Sequence, residues 1–113
     1  MERKDLSFHK RTTKAFYIIV KKDGAYIDIT DWTIYFTAKE KSVDPDTLAL
    51  IQKDITSHVD PTNGKTIIEL TADDLDIDPG NYWYDIVGKD SSGNIHLIAI
   101  GKLQIERKIT QRS

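Results

Sequence analysis

The chain is organised in twos. Between Trp32 and Lys39, Trp32, Ile34, Phe36 and Ala38 alternate with Thr33, Tyr35, Thr37 and Lys39, the period of a strand with one buried face. Tyr82, Tyr84 and Ile86 alternate in the same way with Trp83, Asp85 and Val87. Lys14–Lys21 sets Phe16, Ile18 and Val20 on one side and Tyr17 and Ile19 on the other. Apolar on both faces, that segment is expected in the middle of a sheet. Further strands are expected at Leu6–Phe8, Ala25–Ile29, Leu48–Ile55, Thr66–Leu70 and Ile95–Ile105, all rich in residues that suit a pleated, half-buried surface.

Turn chemistry separates these runs. Lys22-Asp23-Gly24 and Asp90-Ser91-Ser92-Gly93-Asn94 read as hairpin loops. Asp60-Pro61-Thr62-Asn63-Gly64 joins a proline-fixed φ to an Asn-Gly pair that tolerates positive φ. All three prolines follow an aspartate, at Asp44-Pro45, Asp60-Pro61 and Asp78-Pro79, between periodic runs where a missing N–H costs no ladder bond. No amphipathic helix of useful length is present. Only Thr71-Ala72-Asp73-Asp74-Leu75 suggests a helical turn, with Thr71 as cap and Asp74 three residues on.

With 113 residues, 39% of them hydrophobic, the chain has the size and apolar content for one core without covalent staples. It contains no cysteine, which excludes disulfides, thiolate metal sites and cysteine nucleophiles. The charged start at Met1-Glu2-Arg3-Lys4-Asp5 shows no secretory signal, and the longest apolar run, Ala15–Val20, is far too short for a bilayer. A net charge of −2 argues against a nucleic-acid partner. The balance is uneven, however: residues 1–14 sum to +3 and residues 40–80 to −7, with a basic tail from about residue 106. Basic ends facing an acidic partner, such as the acidic middle of a second copy, are one reading. The plainer one is solvated loops and tails.

Seven or eight short strands with turns at this spacing predict a single all-β domain, an antiparallel β-sandwich over residues 1–113 with a basic N-terminal arm (1–13) and a basic C-terminal tail (106–113). Asp78-Pro79-Gly80-Asn81-Tyr82-Trp83-Tyr84 resembles the D-x-G-x-Y-x-C run of immunoglobulin-type domains. The resemblance implies that Tyr82 is a structural corner whose hydroxyl bonds back to upstream backbone. It also implies that Tyr84 fills the place of a disulfide cysteine, and that Trp32 is the core tryptophan of strand C.

Chemistry is hard to find. His9, His58 and His96 lie on separate segments without metal-ligand spacing and are expected to be exposed. Ser57, His58 and Asp60 are neighbours in sequence, but a triad needs a base oriented in space by a third group. Asp74, Asp76 and Asp78, with Asp85 beyond them, invite a calcium-loop test. Pro79 stands where the sharp-turn glycine belongs and the closing glutamate is missing, so hydrated turn-capping aspartates are expected. No enzyme, cofactor or metal site is predicted.

The alternation does predict a surface. If Tyr82, Tyr84 and Ile86 face inward, Trp83 and Val87 face out, as does Tyr35 on its own strand. Carrying the parity along the last strand adds Ile98 and Ile100. Tyr35, Trp83, Val87, Ile98 and Ile100 would then form one apolar patch on the outer face of a C–F–G sheet, an association surface and a route to a homo-oligomer. The alternatives are that the N-terminal segment, with Leu6 and Phe8, folds over this face, or that a bulge, for instance at Gly101, reverses the parity.

Asp31-Trp32-Thr33-Ile34-Tyr35-Phe36-Thr37-Ala38-Lys39, Asp44-Pro45-Asp46, Ala49-Leu50-Ile51-Gln52-Lys53 and Asn63-Gly64-Lys65-Thr66 continue into Pro79-Gly80-Asn81-Tyr82-Trp83-Tyr84-Asp85-Ile86 and Gly101-Lys102-Leu103-Gln104-Ile105. Together these runs resemble the Ig-like N-terminal domain of phage baseplate upper proteins. The resemblance implies a non-enzymatic tail or baseplate module, assembled in the host cytoplasm into a virion, whose partners are other virion proteins. Such domains usually precede a longer fibre or receptor-binding region. Because this sequence stops at Ser113, docking onto a tail or capsid is expected here in place of host-receptor recognition. A carbohydrate-binding or adhesin-like module, stacking sugars on Tyr35 and Trp83, is the alternative.

Overall fold

The computed structural model describes residues 2, 3, 5–41 and 49–107; Asp44-Pro45-Asp46, Leu48 and the basic tail from residue 108 lie outside them. The strands are β1 (Glu2–Arg3), β2 (Leu6–His9), β3 (Lys14–Ile19), β4 (Lys21–Lys22), β5 (Ala25–Tyr26), β6 (Thr33–Lys39), β7 (Ile51–Ile55), β8 (Lys65–Leu70), β9 (Gly80–Lys89) and β10 (Ile95–Glu106). Seven have four residues or more, and β1, β4 and β5 have two each. A large sheet runs β1–β10–β9–β6–β7, with β2 also on β10; β3–β8 and β4–β5 form two smaller ribbons. The fold is all-β, an immunoglobulin-like sandwich, with β6, β9 and β10 adjacent as strands C, F and G.

The core lies where the alternation places it. Ile34, Phe36, Ala38, Tyr82, Tyr84 and Ile86 of the large sheet are buried, and they meet Ile68 and Leu70 of β8. The edge ring of Phe16 packs 6.1 Å from Phe36, and Tyr84 stacks on Phe36 at 5.5 Å. Aromatic packing therefore joins the two layers where a disulfide would otherwise cross. Tyr82 Oη donates to the Asp78 carbonyl, closing the corner over the loop before β9. Burial, followed by the charges of Asp78 and Glu40, raises the Tyr82 pKa, because the phenolate would lose water and face carboxylates.

Trp32 is buried just ahead of β6. It stacks on His96 at 4.8 Å with its other neighbours on Gly88, where an added Cβ would stand 2.8 Å from Trp32 Cε3. The Asp23-Gly24 loop closes β4–β5 with φ of 53° and 81°, the paired positive values of a type I′ turn. Thr71 and Asp74 cap each other's backbone N–H groups at 3.2 and 2.8 Å, so the predicted single turn forms.

Three expectations are corrected. β3 is not in the middle of a sheet: it pairs only with β8, and Tyr17 and Ile19 are 60% and 45% exposed. Only one face of β3 meets the core, through Phe16 and Ile18, and the other stands open. The aspartates of the 71–78 loop are not simply hydrated. Asp74 pairs with Lys53 at 2.9 Å, and Asp76 with Lys10 and Arg11 at 3.2 and 2.9 Å. Part of the basic arm thus meets the chain's own acidic middle. His58 is half-buried, with Nδ1 2.9 Å from Thr66 Oγ1 and Nε2 2.8 Å from the Trp32 carbonyl, tying the β7–β8 loop to β8 and to the residue just ahead of β6.

Candidate protein-binding surface

The outer face of the large sheet is set by three registers. Asp54, Tyr35, Val87 and Leu97 lie side by side across β7, β6, β9 and β10. Gln52, Thr37, Asp85 and Ile100 form the next row, and Lys39, Trp83 and Lys102 the one after. Inward neighbours on β6 and β9 are buried whereas these outward residues are half-buried. Tyr35, Trp83, Val87 and Ile100 therefore share the face that the alternation assigned them.

Ile98 does not. Val87 and Ile86 are consecutive, but their partners are Leu97 and Ala99, so Ile98 is an extra residue in a β-bulge. A one-residue insertion inverts the parity of everything before it. Ile98 turns inward, packs against the core and approaches the space above Gly88. Leu97, 42% exposed, takes its place beside Val87, with Ile95 further along the same side. The bulge falls at Ile98, not at Gly101, whose backbone pairs regularly with Tyr84. Leu97 and Ile95 could be missed because Leu97–Ile100 is apolar at every position around the bulge, leaving no polar marker of the shift there.

The N-terminal segment does not cross this face. β1 and β2 run parallel to β10 along its edge, and Leu6 and Phe8 pack on the core side. The patch is consequently continuous from Tyr35 through Val87 to Leu97, with Ile100 one row away and Trp83 two rows away. Around Trp83 the surface is more polar. Lys102 Nζ sits 5.4 Å from the indole centroid, and a recess of about 70 Å³ opens between Thr37, Lys39, Trp83, Asp85 and Ile100.

Several titratable groups are engaged in contacts within the fold. His9 pairs with Glu106 at 3.3 Å and His96 with Asp90 at 2.9 Å. The hydrogen bond from His96, with backbone N–H groups of Asn94 and Ser92, holds the Asp90 carboxyl below its ordinary pKa. Burial alone would raise the Asp74 pKa, but the Thr71 N–H and the Lys53 ammonium outweigh it and lower it. Among the described residues no three histidine or acidic side chains are grouped to hold a metal ion.

This all-β frame with one greasy outer sheet face defines a class by architecture. Among solved structures it is similar to the soluble domain of PmoD from Methylocystis sp. (Rockwell), at 10% identity and a TM-score of 0.50, covering 88% of this chain and 76% of that one. The likeness is one of fold. No family model and no curated protein matches the chain.

Proposed function

We propose that this chain is a non-enzymatic assembly module of a phage or prophage virion, of tail or baseplate type, that binds other virion proteins through the outer face of its large sheet. The observation that carries the binding is the unbroken row Tyr35–Val87–Leu97, flanked by Trp83 and Ile100 and left open by β1 and β2. Apolar faces of this kind gain free energy by excluding water at an interface, and large aromatic side chains tend to dominate it. The virion setting is supported by the resemblance of the strand and turn runs to baseplate upper proteins. The structural engagement of all three histidines favours a role without catalysis.

A carbohydrate-binding or adhesin-like module remains the second reading, through Tyr35 and Trp83. Lys102 over the indole leaves less of that ring for a sugar to stack on, which favours protein contact. Co-expression with phage tail and baseplate proteins, followed by mass measurement in solution, tests the proposal. Expected is a complex, or a homo-oligomer, that Trp83→Ser and Leu97→Ser dissociate while each variant stays folded. Unchanged assembly in both variants, or glycan-array binding without any virion-protein complex, would overturn it.

A further inference from the structure

The smaller layer has an open side. β8 pairs with β3 along one edge, and β5 pairs with β4, the continuation of β3. Val20 N–H donates to the Gly64 carbonyl and the Val20 carbonyl accepts from Ile27 N–H, so both partners lie to the same side of the chain. Backbone N–H and C=O groups alternate in direction along an antiparallel strand. Those of Ala15, Tyr17, Ile19 and Lys21 are thus directed to the other side. There, residues 14–22 pair with no strand among the described residues. Nine residues make an edge about 30 Å long.

Behind this edge the sandwich gapes. A cleft of about 320 Å³ opens between β3 and the β2–β10 side, lined by Leu6, Phe8, Phe16, Ile18, Ile86 and Ile98 among others. In front of it Tyr17 and Ile19 are exposed. A strand added here would therefore set alternate side chains into the cleft beside Phe16 and Ile18, and the others beside Tyr17 and Ile19. The ends of the edge are cationic. Lys14, Lys21 and Lys22 are exposed and have no carboxylate partner among the described residues.

That charge decides the occupant. Antiparallel pairing of two copies over the whole edge sets Lys14 of one opposite Lys22 of the other, and like charges directly opposite repel. Parallel in-register pairing stacks lysine on lysine. Terminal lysines are a common guard against self-pairing, yet Ala15–Val20 between them carries no charge at all. We infer that the open β3–β4 edge receives an extended segment of another protein, apolar at alternate positions and acidic at its ends, by strand addition. This site lies on the opposite layer from the patch proposed above and goes beyond that reading.

The test uses the full chain and a synthetic nine-residue peptide of alternating valine and threonine with an aspartate at each end, against a twin ending in lysines. Amide hydrogen exchange is followed by NMR. The aspartate peptide is expected to slow exchange at Ala15, Tyr17, Ile19 and Lys21 at least tenfold, and to bind at least tenfold more tightly than the twin. In Lys14→Glu/Lys22→Glu the preference should invert, whereas Trp83→Ser should bind the aspartate peptide as the parent does, which separates this site from the outer patch. Three results would overturn the inference: those four amides already protected in the free chain, showing the edge covered by its own chain or a second copy; no protection by either peptide; or equal affinity for both.

Discussion

Gly88 is a place where one carbon atom should be felt. A Cβ there would stand 2.8 Å from Trp32 Cε3, 3.0 Å from Cζ3 and 3.2 Å from Ile98 Cδ1. Unstrained carbon contacts lie at about 3.5–4.0 Å, so the indole or the strand must yield by roughly half an ångström or more. The indole has little room to do so, because His96 stacks on it at 4.8 Å and the Trp32 carbonyl is held by His58. Overpacking of this kind costs about 1–3 kcal/mol. For a domain of this length that is a fall in Tm of about 4–12 °C. We expect Gly88→Ala to lower Tm by that amount and to lower the urea midpoint without changing the denaturant slope. The loss should shrink by at least about 0.5 kcal/mol when Gly88→Ala is introduced into Trp32→Phe, a coupling that a double-mutant cycle reads directly. A Tm for Gly88→Ala within a degree of the parent would refute the packing of Trp32 over β9. So would strict additivity with Trp32→Phe.

Other expectations follow from single contacts. Ile98→Ser should destabilise the monomer by about 1–2 kcal/mol, since Ile98 faces the core, whereas Ile100→Ser should leave stability nearly unchanged and weaken association; urea melts and solution mass separate the two. Tyr82→Phe should cost about 1 kcal/mol through loss of the bond to the Asp78 carbonyl. Because the folded-state pKa of Tyr82 is raised, its stabilisation is full below pH 10 and is lost as pH climbs through the folded value; the Phe variant should lack that alkaline loss in a Tm–pH profile. Asp74 has the opposite sign. Its lowered pKa gives stability that is present above the ordinary carboxylate range and lost as pH falls through the folded value, so Asp74→Asn should cost about 1 kcal/mol near neutrality and flatten the acid limb of the same profile.

Local pattern was enough for much of this molecule. Alternation assigned inner and outer residues on β6 and β9 because both strands carry polar residues that mark the outer face. The aspartates and glycines at 23–24, 60–64 and 90–94 announced their turns because positive φ and side-chain-to-backbone bonds are properties of neighbouring residues. Tyr82 was legible for the same reason: its hydroxyl reaches only four residues upstream. The candidate surface was correspondingly readable at Tyr35, Trp83, Val87 and Ile100.

What the sequence determined by itself is the sandwich's alternating fabric and its corners, all fixed by interactions within a few residues along the chain. Pairing partners decided the remainder. The extra residue at Ile98 is visible only against the ladder of β9, and it exchanges Ile98 for Leu97 on the outer face. The open side of β3 and the capture of Asp76 by Lys10 and Arg11 depend on which distant segments meet. Periodicity can say that a strand has two faces, but the edges and the long-range charges are settled only when the layers close, since no residue carries a record of its neighbour across the sheet.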